Sequence, residues 1–474
     1  MTNRLRRLLP LAAPLAGSVF ILLAAPAQYL GRQQDDILYV LASISLAHGR
    51  YHLPISPAYI PLTMVNPGLP AALLPVAWIF GDRLGAFQAV SAAMAAALPW
   101  AYWGWLSGRE EEPGRSLLVL LFSASPFVLS QSGCVMSEIP FLLLLFPFLR
   151  YLERGAAARP AASGAWLLAL CELRLAALSL VPAAFFETVR SRRWKQAAVV
   201  AAFVAGGLAP WFAWSRAHGG VQKLSEWSQL DGGIVRALAT AGANSLYYAR
   251  AWGRTYLPEA LAWLAAALGA LLAALALRGA VRLWRDGAHE RPALWALAGG
   301  IALYLVWPWH YDRYLLTLLP WMLWTMARGT GRWKAGALAL LLAGQFYWGS
   351  RPWISGDSPY AAPGLQETYS WIRAHTKPWE ALASPLYARD GFYAQRPCLP
   401  IPDAGSASAF SRLLKQYKAR IVLREDRADL GFSTPRFSPI MRELARDDAW
   451  LDDPSLFRLL YRNPDEGTAV YAPR

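Results

Sequence analysis

Apolar runs broken by short Arg-rich stretches fill the first three-quarters of the chain. Arg4, Arg6 and Arg7 precede a run from Leu8 to about Leu30. Ala25-Pro26-Ala27 resembles a signal-peptidase site, but the run exceeds the 7–15 apolar residues typical of a signal peptide. An uncleaved anchor with its N-terminus inside is the better expectation, so residue 31 emerges on the extracytoplasmic side. The polar stretch Gln33-Gln34-Asp35-Asp36 follows, and Asp35 to His48 has the pattern of a short helix. Asp35 or Asp36 is expected to cap its start and Gly49 to end it. A second segment, Asn66 to Phe80, opens with Asn-Pro and closes at Gly81. It covers roughly 22 Å at 1.5 Å per residue, short of a ~30 Å hydrocarbon core, and is expected to lie in the interface.

Further spans are predicted at Leu84–Leu106 and at Leu117–Ser130, the latter broken at Pro126. The chain then re-enters at Glu138 and reaches the inside by Arg150. The stretch Ala162–Glu187 reads as a broken hairpin with its apex at Glu172-Leu173-Arg174, which keeps Arg190, Arg192, Arg193 and Lys195 inside. Ala197–Trp214 leads out to an expected outer loop over residues 215–257. Pro258–Leu277, Ala293–Trp309, Tyr314–Met326 and Ala335–Trp348 complete the set. The expectation is a polytopic α-helical membrane protein of about eleven spans, with every internal loop basic.

Beyond Ser350 the pattern changes. Pro352, Pro359 and Pro363 mark a linker, and mixed sequence replaces the apolar runs. Trp371–His375 and Ala409–Tyr417 read as helices, and Arg420–Leu423 and Leu456–Tyr461 as strands. The latter is expected to form a hairpin through Asn463–Gly467 to Ala469–Tyr471. The predicted division is a membrane domain over 1–350, with an outer loop at 31–83, and a small extracytoplasmic α/β domain over 351–474. No nucleophile elbow, P-loop or metal motif is present in the latter.

Composition agrees: 55% of the 474 residues are hydrophobic and 16% charged, against about 25% charged in soluble domains. The 23 Trp suit a membrane–water interface. The net charge of +15 is spread over loops between apolar runs, which excludes a nucleic-acid-binding stripe and fits a cytoplasmic loop bias. Cys134, Cys171 and Cys398 are too scattered for a disulfide framework or a zinc site. His48 and His52 lack neighbouring acid or thiol ligands, so no metal-ligating residues are assigned and the role of a divalent cation stays open.

In this topology Asp35/Asp36, Glu138, Glu172/Arg174 and Asp312/Arg313 all fall at the outer face. Each has an ordinary structural role available. An acidic pair caps a helix, Glu138 complements a helix N-terminus, Glu172 and Arg174 neutralise one another, and Arg313 anchors at the interface. Ionisable residues at bilayer depth are costly, however, and their coincidence on one face points to a site.

The arrangement resembles the GT-C superfamily of polyprenyl-phosphate-dependent glycosyltransferases. The likeness is greatest to the family 39-like enzymes, which include protein O-mannosyltransferases and the lipid A aminoarabinose transferase. The likeness covers the order of elements over about residues 8–350. It rests on Asp35-Asp36 with Tyr39 a turn later, Asn66-Pro67-Gly68-Leu69-Pro70, and Ser137-Glu138-Ile139-Pro140. Arg174 in the broken hairpin and the run Arg313-Tyr314-Leu315-Leu316-Thr317-Leu318-Leu319-Pro320 complete it. Some relatives carry a basic residue at the place of Asn66 and Asp at the place of Glu138, and the motifs are short.

The resemblance implies transfer of a sugar from a polyprenyl-phosphate carrier to an unidentified extracytoplasmic acceptor, in a cell membrane that supplies the surrounding lipids. Asp35 is then the candidate general base, with Asp36 and Glu138 as orienting groups or co-bases. Arg174 and Arg313 would meet the departing phosphate, and Tyr39, Asn66 and Asp312 would line the substrate site. The rival expectation is a lipid-linked sugar flippase or other transporter. Transporters place such residues near the midplane, often in repeats, and no repeat is found here.

Overall fold

The computed structural model describes residues 11–25, 30–31, 33–57, 59–154, 159–190, 192–219, 233–287, 289–355, 364–425 and 446–474. The basic cluster at Arg4, Arg6 and Arg7, Pro26-Ala27 and the linker prolines Pro359 and Pro363 lie outside the described residues. In chain order the first helices are α1 (Ala12–Ala24), α2 (Asp35–Ala47), α3 (Gly68–Ala72), α4 (Leu74–Phe80) and α5 (Leu84–Leu106). Then come α6 (Gly114–Ser123), α7 (Pro126–Ser132), α8 (Glu138–Glu153), α9 (Pro160–Leu173), a 3-10 stretch Leu175–Leu180, and α10 (Val181–Arg190). The longer α11 (Trp194–Ala217), α12 (Gly233–Arg254), α13 (Ala262–Asp286), α14 (Arg291–Val306) and α15 (Asp312–Thr330) follow. They give way to α16 (Lys334–Gly344), α17 (Arg351–Ile354), α18 (Gln366–His375), α19 (Tyr387–Ala394) and α20 (Ala407–Gln416).

The chain falls into two compact units. One comprises Met1–Ala27, Asn66–Ala72 and Gly85–Pro359; the other comprises Gln28–Val65, Leu73–Leu84 and Tyr360–Arg474. Residues 31–83 are thus shared between the two.

In the first unit, α5, α11 and the stretch Glu259–Asp286 are long and apolar enough to cross a membrane, among the described residues. The pair α6 and α7 makes a fourth such stretch, bent by 49°. The bend falls at the predicted Pro126, which lacks the N–H a continuing helix needs. Ser125 accepts the Phe127 N–H at 3.3 Å and starts the new helix. The break expected at 172–174 is also present: Arg174 is extended, with φ −151° and ψ 122°, between α9 and the 3-10 stretch.

Other expectations need correction. Residues 233–254 are helical where a loop was expected, because the three arginines Arg236, Arg250 and Arg254 lower the hydropathy of α12 without breaking its backbone. Likewise α13 continues past Leu277 through Arg278, Arg282 and Arg285, so the end of apolarity is not the end of the helix. The 66–80 segment is two short helices, α3 and α4, meeting at Leu73.

Small residues hold α12, α13 and α15 together. A Cβ on Gly253 would strike the Ala265 carbonyl oxygen, and one on Gly269 that of Ala249. Gly279 stands in the same relation to Thr325, and Gly329 to Leu275. Each interface therefore carries a glycine from both partners, letting backbones meet where dispersion must replace a hydrophobic driving force. At one end of this bundle, buried Glu110 pairs with Arg328 at 2.5 Å and Lys334 at 2.7 Å, while Arg109 pairs with Glu153.

In the second unit, the described strands are β1 (Ala381–Ser384), β2 (Cys398–Pro400), β3 (Ala419–Glu425), β4 (Phe457–Asn463) and β5 (Thr468–Pro473). They form one sheet in the order β2-β1-β3-β5-β4. β1 is parallel to β2 and β3, and β5 is antiparallel to β3 and β4. Alternation divides the core: Leu382, Ile421, Leu423 and Val470 pack with Tyr369 and Ile372 of α18 on one face. Ala383, Val422 and Tyr471 pack with Phe410 and Leu414 of α20 on the other. The predicted hairpin turn forms, with Gly467 at φ +62° and Asn463 Oδ1 accepting the Asp465 and Glu466 N–H groups at 3.0 and 3.1 Å. Glu466 in turn accepts the Glu367 and Thr368 N–H groups, both at 2.9 Å, at the start of α18.

The glycine contacts can be tested in detergent by thermal unfolding read from tryptophan fluorescence. Gly279→Leu should lower stability by at least about 1–3 kcal/mol, the usual cost of overpacking, because backbone cannot yield. Gly336→Ala in α16, whose Cβ would meet nothing within 4 Å, should leave the midpoint unchanged or raise it.

Candidate functional site

Three chain breaks of the first unit deliver the charged residues that meet there. Glu138 is the first residue of α8, Arg174 follows the end of α9, and Arg313 is the second residue of α15. Glu138 is wholly buried, and its Oε1 lies 2.5 Å from Arg174 Nη1 and 3.7 Å from Arg313 Nε. Arg174 Nη1 also donates to Ser137 Oγ at 3.1 Å. The guanidiniums sit 6.0 and 5.9 Å from the Tyr314 ring, with Tyr311 4.8 Å from Arg313. Tyr314 stacks on Tyr304 at 4.8 Å, and the Tyr304 hydroxyl lies 3.0 Å from Thr317 Oγ1. Two cations thus share one carboxylate.

Tyr304 and Thr317 also line a small, largely apolar pocket with Phe141, Leu145, Ala176, Ser179 and Leu318, among others. Phe141, Ala176 and Thr317 each follow one of the three charged residues by about a turn or less of the same chain segment.

The other expected residues of the first unit have these partners. Asp312 accepts from the Tyr247 hydroxyl at 2.7 Å and faces Arg254 at 3.8 Å, both on α12. Asn66 donates to the Cys171 carbonyl at 3.1 Å, and Gly68 is packed against Glu172, so this stretch fastens the end of α9. Asn244, missed because α12 was read as loop, donates to the carbonyls of Tyr304, Leu305 and Trp307 and holds the end of α14. Tyr304 was also missed, and Tyr314 was read only as part of the run that begins at Arg313.

Asp35, Asp36 and Tyr39 belong to the second unit, where neither acid is the helix cap that was expected. Gln34 takes that position at φ +56° with no side-chain cap, and the acids form the first turn of α2. The reason is that the Asp36 oxygens are engaged elsewhere. Its Oδ2 accepts the Gly31 N–H at 3.0 Å, and its Oδ1 the Ile37 N–H at 2.9 Å. Asp36 and Tyr39 are buried and Asp35 half-buried. Burial, and then the Asp35 charge, push the Tyr387 phenol up to about 12. His48 Nδ1 lies 2.8 Å from the Ile44 carbonyl and His52 stacks on Tyr59. Among the described residues, no group of three or more His, Cys, Asp or Glu is arranged to hold a metal ion.

No protein-family model matches the sequence, and no curated protein matches it. Solved structures do. ArnT from Cupriavidus metallidurans, bound to undecaprenyl phosphate, has a TM-score of 0.58 at 11% identity over 99% of this chain and 98% of that one. The Archaeoglobus fulgidus oligosaccharyltransferase, tethered with an acceptor peptide containing the NVT sequon, scores 0.60 at 12% identity over 100% of this chain and 75% of that one. The same enzyme in complex with Zn and sulfate scores 0.57 at 13% identity, over 95% of this chain and 79% of that one. The likeness at these identities is one of fold: this chain shares the GT-C fold of these enzymes.

The ion cluster is open to a double-mutant cycle by thermal unfolding. Arg174→Met strands Glu138 with one distant cation and should cost about 3–5 kcal/mol, as broken buried pairs do. Adding Glu138→Gln should restore part of that loss, giving a coupling energy well above the ~0.5 kcal/mol of independent sites.

Proposed function

We propose that this chain is a membrane glycosyltransferase that moves a sugar from a polyprenyl-phosphate carrier to an extracytoplasmic acceptor. The observation that carries the reading is the pair Arg174 and Arg313 held on buried Glu138, next to Tyr314, whose stacking partner Tyr304 lines an apolar pocket. A guanidinium pair suits a phosphate, and a neighbouring apolar pocket suits prenyl carbons attached to it. That the neighbours include ArnT bound to undecaprenyl phosphate and an oligosaccharyltransferase with an acceptor peptide supports the same donor and acceptor classes.

The chemistry is displacement at the anomeric carbon. The acceptor hydroxyl or amine gives its proton to Asp35 as its heteroatom bonds to the sugar. The bond from that carbon to the carrier phosphate breaks, and the phosphate leaves with the electron pair. Arg174 and Arg313 meet the charge that develops on the departing oxygens. Glu138, paired with both guanidiniums, orients them and is not the base. Asp36, with both oxygens on backbone amides, orients the turn that carries Asp35.

The test is transfer of radiolabelled sugar from lipid carriers by the purified protein in proteoliposomes. Asp35→Asn should lose about 10²–10⁴-fold in kcat, the usual contribution of a general base, with unfolding unchanged. Arg313→Lys should raise the donor KM, because an ammonium cannot reproduce the planar fork. Near-normal transfer by Asp35→Asn would end the assignment.

A further inference from the structure

The strand order β2-β1-β3 places a topological switch point between β1 and β3, since the chain moves from β1 to β2 on one side and then crosses back over β1 to β3 on the other. In open α/β sheets, the crevice outside the carboxyl ends of strands at such a point is where ligands bind. Here Ser384 ends β1 and Glu425 ends β3, and the crevice is filled from within. Arg389 of α19 lies there with its side chain 5% exposed. Its Nε donates to Asp390 Oδ1 at 2.8 Å, and its Nη2 pairs with Asp390 at 2.7 Å and with Glu425. Asp390 also accepts from the Tyr369 hydroxyl at 2.6 Å and from Ser384. One cation faces two buried carboxylates, so Arg389 cannot turn away without leaving both unpaired.

The stem of this immobilised arginine rests on Gly31. A Cβ there would collide with Cβ, Cγ and Cδ of Arg389, and Gly31 holds a φ of +98°, which side chains rarely adopt. The N–H of Gly31 is the group that binds Asp36 Oδ2. We propose that Arg389 is a positioning residue for the transfer reaction. By fixing the backbone at Gly31 it holds Asp36, and through Asp36 the first turn of α2 that presents Asp35. The inference rests on the reading of Asp35 as base. It gives the C-terminal sheet a specific role, in which the ligand crevice of an α/β domain clamps a loop of its own chain.

Two variants of the full-length protein in lipid nanodiscs test this, each first shown to unfold cooperatively and to run as one species. Arg389→Met removes the clamp; Gly31→Ala pushes on it while leaving the buried ion network intact. Hydrogen–deuterium exchange should speed up over residues 31–37 in both, with α20 exchanging as in wild type. In the transfer assay kcat should fall about 10²-fold, the effect of a misplaced catalytic group, while the donor KM stays unchanged. Wild-type exchange over 31–37 in folded Arg389→Met overturns the proposal, and so does a rise in KM with kcat unaltered. Should Arg389→Met fail to fold, Gly31→Ala decides by the same two readouts. A wild-type chain that transfers no sugar overturns the parent reading instead, and is recognised before any substitution is made.

Discussion

A carboxylate removed from water must find its cations inside the protein, and Glu138 finds two. Removing an ion from solvent costs several kcal/mol even after relaxation, and only near-contact pairing offsets it. This constraint decides where three helices may begin and end. α8 must start at Glu138, α9 must stop before Arg174, and α15 must start within one residue of Arg313. Each break then leaves backbone groups to satisfy. Ser137 lies at one such end and binds Arg174, so the N-cap residue of α8, whose side chain caps no backbone N–H, serves the ion cluster. The Tyr314 and Tyr304 rings supply polarisable surface beneath the guanidiniums while excluding water from below.

The same logic of scarce solvent governs the bundle around it. Where lipid offers no hydrophobic drive to associate, α12, α13 and α15 approach through paired glycines, and contact is won by proximity of backbones. Asn244 uses its amide to hold three carbonyls at the frayed end of α14, which no water could reach as cheaply as a side chain does. Polar residues in this unit serve mainly to close helix ends, and the sites they create are at those ends.

This explains what could be read from the sequence. Apolar length and proline position are local properties, so Leu84–Leu106, the bend at Pro126 and the interruption at Arg174 were legible from them. The strands and the Asn463–Gly467 turn were legible from alternation and turn chemistry. Helix α12 was not, because its arginines obey helical geometry while violating the hydropathy rule used to find spans. Strands β1 and β2 and helix α19 were missed because Ala381–Ser384 and Cys398–Pro400 are too short to show a period. In the site, charge alone singled out Glu138, Arg174 and Arg313. Charge could not show that Asp312 turns to Tyr247 and Asn66 to Cys171, since those partners lie 65 and 105 residues away.

The acidic pair illustrates the remaining gap most clearly. Two adjacent aspartates look equivalent in a sequence, and either could cap or react. A helix turns about 100° per residue, so neighbours in one turn cannot share an environment. Asp36 points to backbone amides and is buried, which commits its oxygens; Asp35, half-buried, faces another side of the same turn. What fixes the difference is Gly31, and what fixes Gly31 is an arginine of the last hundred residues, locked by the ends of β1 and β3. β3 is paired on one side with β5, the final strand of the chain. The acidic corner of the second unit is thus linked, through β3, to the strand Thr468–Pro473. The partners that distinguish the two carboxylates lie more than three hundred residues away, and this distance is the physical reason they could not be told apart by reading along the chain.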